Sequence, residues 1–259
     1  MCYNHIHVAK RCIKMDKNII NYIITTQKLE NIDLKEEEIE LLLKEKRKGH
    51  IMKKNNEKFE NWEDYLIEGT NILKNIPNIK NENELKQYEK ENTTRRLIEL
   101  IENPIEGEFD INHLYKIHKY LFQDIYEWAG KTRKAHMKKQ TVFLEPEKIE
   151  KFINVVLNEL KIELENITDE YHLASCLSTL FYSLTFAHPF REGNGRTIRE
   201  FIRQLVNSID FQFGSFDIDY NRINQQTIAI GINCAAPMFI TPEIQKSLIK
   251  RQTNQKILK

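Results

Sequence analysis

Residues 188–199 constrain this chain more than any other segment, because they join two helical patterns through a glycine-containing turn. They read His-Pro-Phe-Arg-Glu-Gly-Asn-Gly-Arg-Thr-Ile-Arg. Before them, apolar residues recur at helical spacing from Leu173 to Leu184, and Pro189 disfavours helix in the residue that precedes it. A second helical pattern begins near Gly195 and runs to Val206. The segment is therefore predicted to be a loop between two packed helices that ends at a helix N-terminus.

The start of the second predicted helix is suited to phosphate binding. The first N–H groups of a helix lack partners within the helix, and the helix dipole adds partial positive charge there. Gly193, Asn194 and Gly195 can direct N–H groups at an anion, since no Cβ blocks the approach at the glycines. Arg196 and Arg199 are three positions apart and share one side of the helix, where their guanidinium groups match phosphate oxygens.

Two further side chains of this loop suit proton transfer and metal binding. Glu192 offers the hard oxygen ligand that a phosphate-bound Mg²⁺ requires. His188 can be neutral near pH 7 and can accept a proton from an attacking hydroxyl. Each part alone also has a structural interpretation, as a helix end, a turn or a solvated pair of arginines. Their combination in one loop favours attack on a phosphate anhydride, with the backbone and the arginines stabilising the charge of the leaving phosphates.

The loop resembles the signature of Fic-domain proteins, His-x-Phe-x-(Asp/Glu)-Gly-Asn-Gly-Arg-x-x-Arg, at every fixed position. Residues 110–133 resemble the helix and turn that precede the family's active-site flap, and residues 65–75 resemble the start of the core in its bacterial toxin branch. The resemblance covers residues 60–245 approximately and implies a Fic-type helical bundle with a small β-hairpin flap. The scarcity of glycine and proline, 8 and 6 residues of 259, independently favours an all-α fold.

Fic proteins typically transfer AMP from Mg-ATP to a hydroxyl side chain of a target protein, so the resemblance implies a protein adenylyltransferase. A phosphotransferase relative, Doc, has lysine at the position of Gly195, and glycine there favours nucleotidyl transfer. The resemblance implies a core-anchoring role for Phe190. The implied functional roles are a base that deprotonates a Tyr, Ser or Thr hydroxyl (His188), a Mg²⁺ ligand (Glu192), an anion hole (Gly193, Asn194, Gly195), a ligand of the leaving phosphates (Arg196) and a ligand of the γ-phosphate (Arg199).

Residues 130–143 resemble the flap that registers the target by backbone pairing. Strand addition of this kind reads the backbone more than the side chains. Gln140 departs from the family pattern, because glycine is common at its position, and the alternative is an ordinary surface hairpin. The predicted docking residues are Lys138, Lys139, Gln140, Thr141, Val142 and Phe143.

A second segment resembles the inhibitory helix of many Fic proteins, which carries (Ser/Thr)-x-x-x-Glu-(Gly/Asn). Thr26, Glu30 and Asn31 match this pattern. A carboxylate that faces Arg199 would replace the γ-phosphate through a charge-assisted pair. An ordinary surface helix is the alternative. Glu68 also precedes a glycine, but the residue four positions before it is neither Ser nor Thr, so Glu30 is the predicted inhibitor.

The resemblance divides the chain into an irregular N-terminus at 1–15, an antitoxin-like helical module at 16–51, a charged linker at 52–60, a Fic core at 61–245 and a tail at 246–259 that is expected to fray. Toxin-branch relatives modify the ATPase subunits of DNA gyrase and topoisomerase IV, which makes these subunits candidate targets. Transfer of UMP or of another phosphate-linked group, removal of AMP, and a catalytically silent interaction module remain alternative functions. The oligomeric state stays open.

Composition excludes several other classes. The 39 basic and 38 acidic residues nearly cancel, so no basic field is expected to attract nucleic acid. The sequence shows neither a membrane-spanning stretch nor a signal-peptide core, and a cytoplasmic location is expected. The four cysteines lack metal-site spacing, and Cys176 is interpreted as an apolar filler. His113 and His118 are expected to pack or cap rather than to bind a metal. Trp128 is expected to anchor the core under the flap.

Overall fold

The structure is a computed structural model, which describes residues 17–30, 33–39, 59–137 and 143–251. The predictions for residues 1–15, for Asn31 and for most of the linker fall outside these ranges. The same holds for five of the docking residues, at 138–142.

The described chain is mostly helical, which confirms the predicted fold class. Helix α1 belongs to the predicted inhibitory module, and a further helical stretch at 36–39 follows it. The remaining helices form the bundle. In chain order the helices are α1 (Lys17–Lys28), α2 (Glu82–Glu102), α3 (Ile111–Phe122), α4 (Ile149–Glu165), α5 (Glu170–Ala187), α6 (Asn194–Ser208), α7 (Gln225–Asn233) and α8 (Thr241–Ser247).

Short polar side chains fix where several helices begin. Asn81, Asp110 and Asp169 each precede a helix and accept a hydrogen bond from a backbone N–H of its first turn. These N–H groups have no partner within the helix, so each cap satisfies a donor that would otherwise be left over. The caps hold α2, α3 and α5 at fixed starting points around the core.

Helices α5 and α6 lie at the centre of the bundle, as their apolar spacing predicts. Leu177, Leu184, Phe201 and Ile202 are fully buried. Phe190, in the loop between the two helices, is also fully buried, which confirms its predicted role as an anchor. The loop is therefore held between two well-packed helices and lies against the core.

A small antiparallel sheet is the part of the fold that the sequence did not predict. Its strands are β1 (Asp210–Phe211), β2 (Gly214–Ile218) and β3 (Leu248–Lys250), in the order β1-β2-β3. The expectation that the tail frays from Lys246 is wrong for residues 247–250. Ser247 is fully buried and Ile218 of β2 pairs with Leu248 of β3, because the backbone of β2 needs a partner on its second side.

The residues that flank positions 138–142, at 131–137 and 143–145, are not in strands. Among the described helices, none has a continuous apolar run sufficient to cross a lipid bilayer.

The sheet predicts a measurable contribution to stability. Phe216 of β2 is fully buried and contacts the rings of Phe211 and Phe213, so Phe216→Ala should lower the free energy of unfolding by about 3–5 kcal/mol. Met238 is 73% exposed, and Met238→Ala should change it by less than about 0.5 kcal/mol. Urea unfolding measures both, and similar small losses would mean that β2 does not pack on the core.

Candidate active site

The loop between α5 and α6 contains two residues in the left-handed region of backbone conformation. His188 ends α5 with φ 44°, and Gly193 precedes α6 with φ 81°. A Cβ at Gly193 would collide with the ring of Phe122, so glycine is required there by both conformation and space. The left-handed conformations of these two residues let the chain reverse between α5 and α6 within a few residues.

Asn194 closes the loop with its side chain. Its Oδ1 accepts a hydrogen bond from the backbone N–H of Phe190 at 2.9 Å, and its Nδ2 donates to the backbone oxygen of Phe190 at 2.7 Å. Asn194 is buried, so both bonds are shielded from water. The predicted role in the anion hole assigned only its backbone; the side chain has this additional structural role.

The buried imidazole of His118, on α3, connects the loop to Gly130. Nδ1 of His118 accepts a hydrogen bond from the N–H of Gly130 at 2.7 Å, which leaves the proton on Nε2. Nε2 then donates to the backbone oxygen of Glu192 at 3.0 Å. Burial lowers the pKa of His118 to about 3, so the ring is neutral at working pH. Its ring also stacks on Phe190, which confirms the expectation that His118 packs in the core.

The imidazole of His188 lies at the surface of the loop. Nδ1 lies 3.3 Å from the backbone oxygen of Thr185, and the ring stacks on Phe143 with a centroid separation of 4.0 Å and an interplanar angle of 19°. Phe143 is the one described residue of the predicted docking set. The base candidate and the C-terminal end of the flap segment are therefore in direct contact.

Arg133 joins the flap segment to this loop. Its guanidinium donates to the backbone oxygens of His188 at 2.7 Å, Ala135 at 2.8 Å and Leu144 at 2.6 Å. The side chain is 1% exposed, and burial lowers its pKa to about 10, which still leaves it charged at neutral pH. Arg133 thus ties both ends of residues 135–144 to the backbone beside His188.

The two arginines of α6 lie in the core of the site, and each is paired with a carboxylate. Nη2 of Arg199 donates to Oε1 of Glu30 at 2.6 Å and to the backbone oxygen of Thr26 at 3.0 Å. A Cβ at Gly195 would collide with the Glu30 carboxylate, so glycine lets this carboxylate approach the first turn of α6. The predicted juxtaposition of Glu30 and Arg199 is present.

Arg196 is paired with a residue that the sequence did not identify. Its Nη2 donates to Oε1 of Glu89 on α2 at 2.6 Å, and the hydroxyl of Tyr126 donates to the other oxygen of Glu89. Oε1 of Glu192 lies 3.9 Å from the same Nη2. These carboxylates raise the pKa of Arg196 against its burial, so it stays charged.

The N–H groups of residues 193–195 and the side chains of Arg196 and Arg199 are together called the cradle. This cradle retains hydrogen-bond donors that have no partner among the described residues. Nε of Arg196 and Nε of Arg199 are both buried and have no hydrogen-bond partner within the described part of the chain. Buried donors of charged groups are costly when unpaired and are well placed to bind an anion. The two guanidinium groups therefore have N–H donors that Glu89 and Glu30 do not occupy and that a bound anion can accept.

Glu192 has the character of a cation ligand. Burial and the neighbouring carboxylates of Glu89 and Glu30 raise its pKa, whereas Arg196 lowers it. Its Oε1 accepts a hydrogen bond from the N–H of Gly193 at 3.0 Å, which orients the carboxylate. A hard oxygen donor in a cluster of negative charge fits a divalent cation that carries phosphate oxygens.

A cavity of about 560 Å³ opens beside this cradle. Its wall includes Glu192 and Arg196 at one side and the apolar side chains of Ile72 and Leu73 at another. The combination offers an apolar surface next to a cluster of charged groups, as sites for small molecules commonly do.

Helix α1 is anchored to the core at several points besides Glu30. The hydroxyl of Tyr22 donates to Oε2 of the fully buried Glu200 at 2.8 Å, and burial together with Glu200 raises the pKa of Tyr22, so the proton stays on its oxygen. Nε2 of Gln27 donates to the hydroxyls of Thr93 and Thr94 at 3.0 and 2.8 Å. The segment that carries Glu30 is therefore packed against α2 and α6.

The structure brings the residues of the 188–199 motif together with Thr26 and Glu30. The Thr26 side chain is fully buried, and its hydroxyl has no hydrogen-bond partner among the described residues. Sequence reasoning missed Glu89 and the role of Arg133. Glu89 lies in a helix rich in charged residues and has no distinguishing local pattern, and Arg133, the last residue of the segment 110–133, carries no motif of its own.

Comparison with known proteins agrees with this geometry. A sequence model of the Fic/DOC family matches residues 108–206. The chain is 36% identical over 165 residues to the protein adenylyltransferase VbhT of Bartonella schoenbuchensis, covering 62% of this chain and 33% of that protein. It is 32% identical over 158 residues to the probable protein adenylyltransferase y4lH of Sinorhizobium fredii, covering 60% of this chain and 78% of that protein. The chain thus spans about a third of the length of the first relative and most of the second.

The fold has a counterpart in a solved structure. The BepC protein of Bartonella tribocorum, a VirB-translocated effector crystallised with bound AMPPNP, superposes with a TM-score of 0.66 at 22% identity, covering 73% of this chain and 98% of that one. At this identity the likeness concerns the fold alone.

The contacts of Arg133 predict a variant with two linked defects. The three carbonyl oxygens accept from three different nitrogens of the Arg133 guanidinium, and the single nitrogen of lysine cannot reach all three. Arg133→Lys should therefore lower the free energy of unfolding by about 2–4 kcal/mol and shift the imidazole NMR signals of His188. Arg222 is 52% exposed and supplies a matched arginine-to-lysine control, with an expected change below about 0.5 kcal/mol. An Arg133→Lys protein with native stability and unshifted His188 signals would contradict the clamp.

Proposed function

This chain belongs to the Fic/DOC family, and from that premise we propose that it is an autoinhibited protein adenylyltransferase, which moves AMP from Mg-ATP to a hydroxyl of a target protein. The observation that carries the proposal is the closed loop between α5 and α6, which begins at His188 and leads through Gly193–Gly195 into a helix start with two buried arginines, Arg196 and Arg199. Relatives named as protein adenylyltransferases support it.

The proposed reaction is a displacement at the α-phosphorus of ATP. The hydroxyl oxygen of the target forms a bond to this phosphorus while the bond to the bridging oxygen of the β-phosphate breaks, and pyrophosphate leaves. The proton of the hydroxyl passes to His188, which acts as the general base. Arg196 and the first N–H groups of α6 stabilise the charge that develops on the leaving phosphates. In the proposal Arg199 binds the γ-phosphate.

Nucleotide binding is supported by the shape and charge of the site. The cavity of about 560 Å³ beside the cradle has an apolar wall at Ile72 and Leu73 for a base and charged groups for phosphates. BepC, which shares the fold, was crystallised with AMPPNP. Glu192 would hold Mg²⁺, which when bound neutralises phosphate charge.

Autoinhibition is supported by the pair between Glu30 and Arg199. A carboxylate 2.6 Å from Nη2 of Arg199 competes for the guanidinium that would bind the γ-phosphate. Both groups are anionic and both favour the N-terminus of a helix, so they exclude each other. ATP then binds weakly or in a pose that misaligns its α-phosphorus.

The target class is proposed from the resemblance of residues 65–75 to the toxin branch. We expect the ATPase subunits of type II topoisomerases, and in this view residues 16–51 act as an antitoxin-like module within the same chain. Incubating the Glu30→Gly variant with purified gyrase and topoisomerase IV subunits and α-labelled ATP would test it, and transfer to other proteins with both subunits unlabelled would exclude this target class.

Removal of the Glu30 carboxylate tests the proposed inhibition. A charge-assisted hydrogen bond to a partly buried group contributes about 1.5–3 kcal/mol, so Glu30→Gly should raise transfer of label from α-labelled ATP by about tenfold to hundredfold. Glu30→Gln keeps the shape but removes the charge and should also activate. Glu68→Gly is the matched control at the other Glu-Gly sequence and should leave labelling unchanged.

The outcomes separate inhibition from activity. Labelling that is equally strong in the native protein and in Glu30→Gly would reject autoinhibition while keeping the transferase. No labelling of any protein by Glu30→Gly, with ATP or with UTP, would reject nucleotidyl transfer itself.

Removal of the His188 imidazole tests its proposed role as general base. In the Glu30→Gly background, His188→Ala should reduce transfer by about 10²-fold to 10⁴-fold, because the attacking hydroxyl loses its proton acceptor. Binding of ATP should stay within a few-fold of the parent, since His188 is not assigned to the phosphates; equilibrium dialysis measures it. Transfer that persists at the parent rate would remove His188 from the role of base.

A further inference from the structure

A second cluster of ligand-type side chains lies between α4 and α5, on the far part of α5 from His188. His172 and Cys176 are four residues apart and share one face of α5, and Glu163 reaches them from α4. One nitrogen, sulfur or oxygen atom from each residue lies within 4.8 Å of those of the other two. Nε2 of His172 is 3.6 Å from Oε2 of Glu163.

We propose that Glu163, His172 and Cys176 form a zinc site that links α4 to α5. A thiolate, an imidazole and a carboxylate are all zinc ligands, and three protein ligands with one open position are a common zinc arrangement. At metal–ligand distances of about 2.0–2.3 Å, tetrahedral ligand atoms are separated by roughly 3.3–3.8 Å. Movements of about 1 Å by half-exposed side chains close the remaining difference.

The surroundings supply the fourth position. The cluster lines a cavity of about 580 Å³, which is also lined by Glu159, one helical turn before Glu163. The opening admits a cation together with a water molecule, which can complete the coordination. The Glu159 carboxylate adds negative charge to the lining of the same cavity, which attracts a cation.

The three side chains are grouped more closely than packing alone requires. Cys176 lies at intermediate exposure on α5, and its sulfur shares one cluster with an imidazole nitrogen and a carboxylate oxygen. Zinc binds such a cysteine as the thiolate. An isolated apolar cysteine would need neither the imidazole nor the carboxylate beside it.

The site is separate from the proposed catalytic centre. His172 and His188 are at opposite ends of α5, about 24 Å apart along the helix axis at 1.5 Å per residue. Zinc bound here would connect α4 to the helix whose last residue precedes His188. This inference is independent of the proposed transferase activity.

The test isolates Cys176 from the other thiols of the chain. In a Cys2→Ser, Cys12→Ser, Cys234→Ser background, titration with Co²⁺ alone should give a thiolate-to-cobalt charge-transfer band that saturates at one ion per chain, and Zn²⁺ should abolish it. The band should disappear in Cys176→Ser, and His172→Ala and Glu163→Gln should each weaken binding by at least about tenfold, since loss of even an outer hydrogen-bond partner costs about 10–100-fold.

A thermal measurement gives a second readout. Zinc at a hundredfold excess over its Kd should raise the Tm of the background protein by roughly 5–10 °C and should leave that of its Cys176→Ser derivative unchanged. Circular dichroism checks that each variant is folded. Absence of a thiolate band up to millimolar Co²⁺, or a band that His172→Ala and Glu163→Gln leave intact, would overturn the zinc site.

Discussion

Two hydrogen bonds between the Asn194 side chain and the backbone of Phe190 close the loop on which the rest of the site depends. Because Phe190 is fully buried, this closure fixes the loop to the core and not only to itself. It sets the turn at Gly193 and therefore the direction in which α6 begins. The first N–H groups of α6, Arg196 and Arg199 all belong to the first two turns of this helix, so their placement is a consequence of how the helix starts.

The burial of two guanidinium groups imposes a second constraint. A buried charge without a partner is strongly destabilising, so Arg196 and Arg199 need carboxylates whenever no other anion is present. Glu89 meets this need for Arg196 from within the helical bundle. Glu30 meets it for Arg199 from the turn that follows α1. The proposed inhibition thus follows from the same electrostatic requirement that keeps the site folded.

Local patterns were enough to predict the central part of this structure. The spacing of apolar residues located α5 and α6, and the motif between them located the loop, the buried Phe190 and the arginines. Matching a short pattern was also enough to identify Glu30. These patterns could not predict contacts between residues that lie far apart in the chain. Glu89 resembles many other carboxylates of α2, and the pairing of β2 with residues 248–250 depends on a strand that is only three residues long. A charged tail suggested fraying because its apolar residues form only two separate pairs, Leu248–Ile249 and Ile257–Leu258, which show no period.

The position of Glu30 distinguishes two ways in which Arg199 can become available to phosphate. Glu30 follows Lys28, the last residue of α1, and it lies in a turn, so its side chain can move away while the helix stays docked. That movement breaks one ion pair, and an incoming phosphate replaces it. Release of the whole helix must also break the buried bond between Tyr22 and Glu200 and those of Gln27 with α2. Among the described residues, Glu200 would then keep its bonds with Arg203 and Gln204 on the same helix. Because side-chain movement costs much less than helix release, it accounts for the weak basal transfer expected of the native chain, and it explains why removal of the Glu30 carboxylate alone is expected to activate while α1 stays docked.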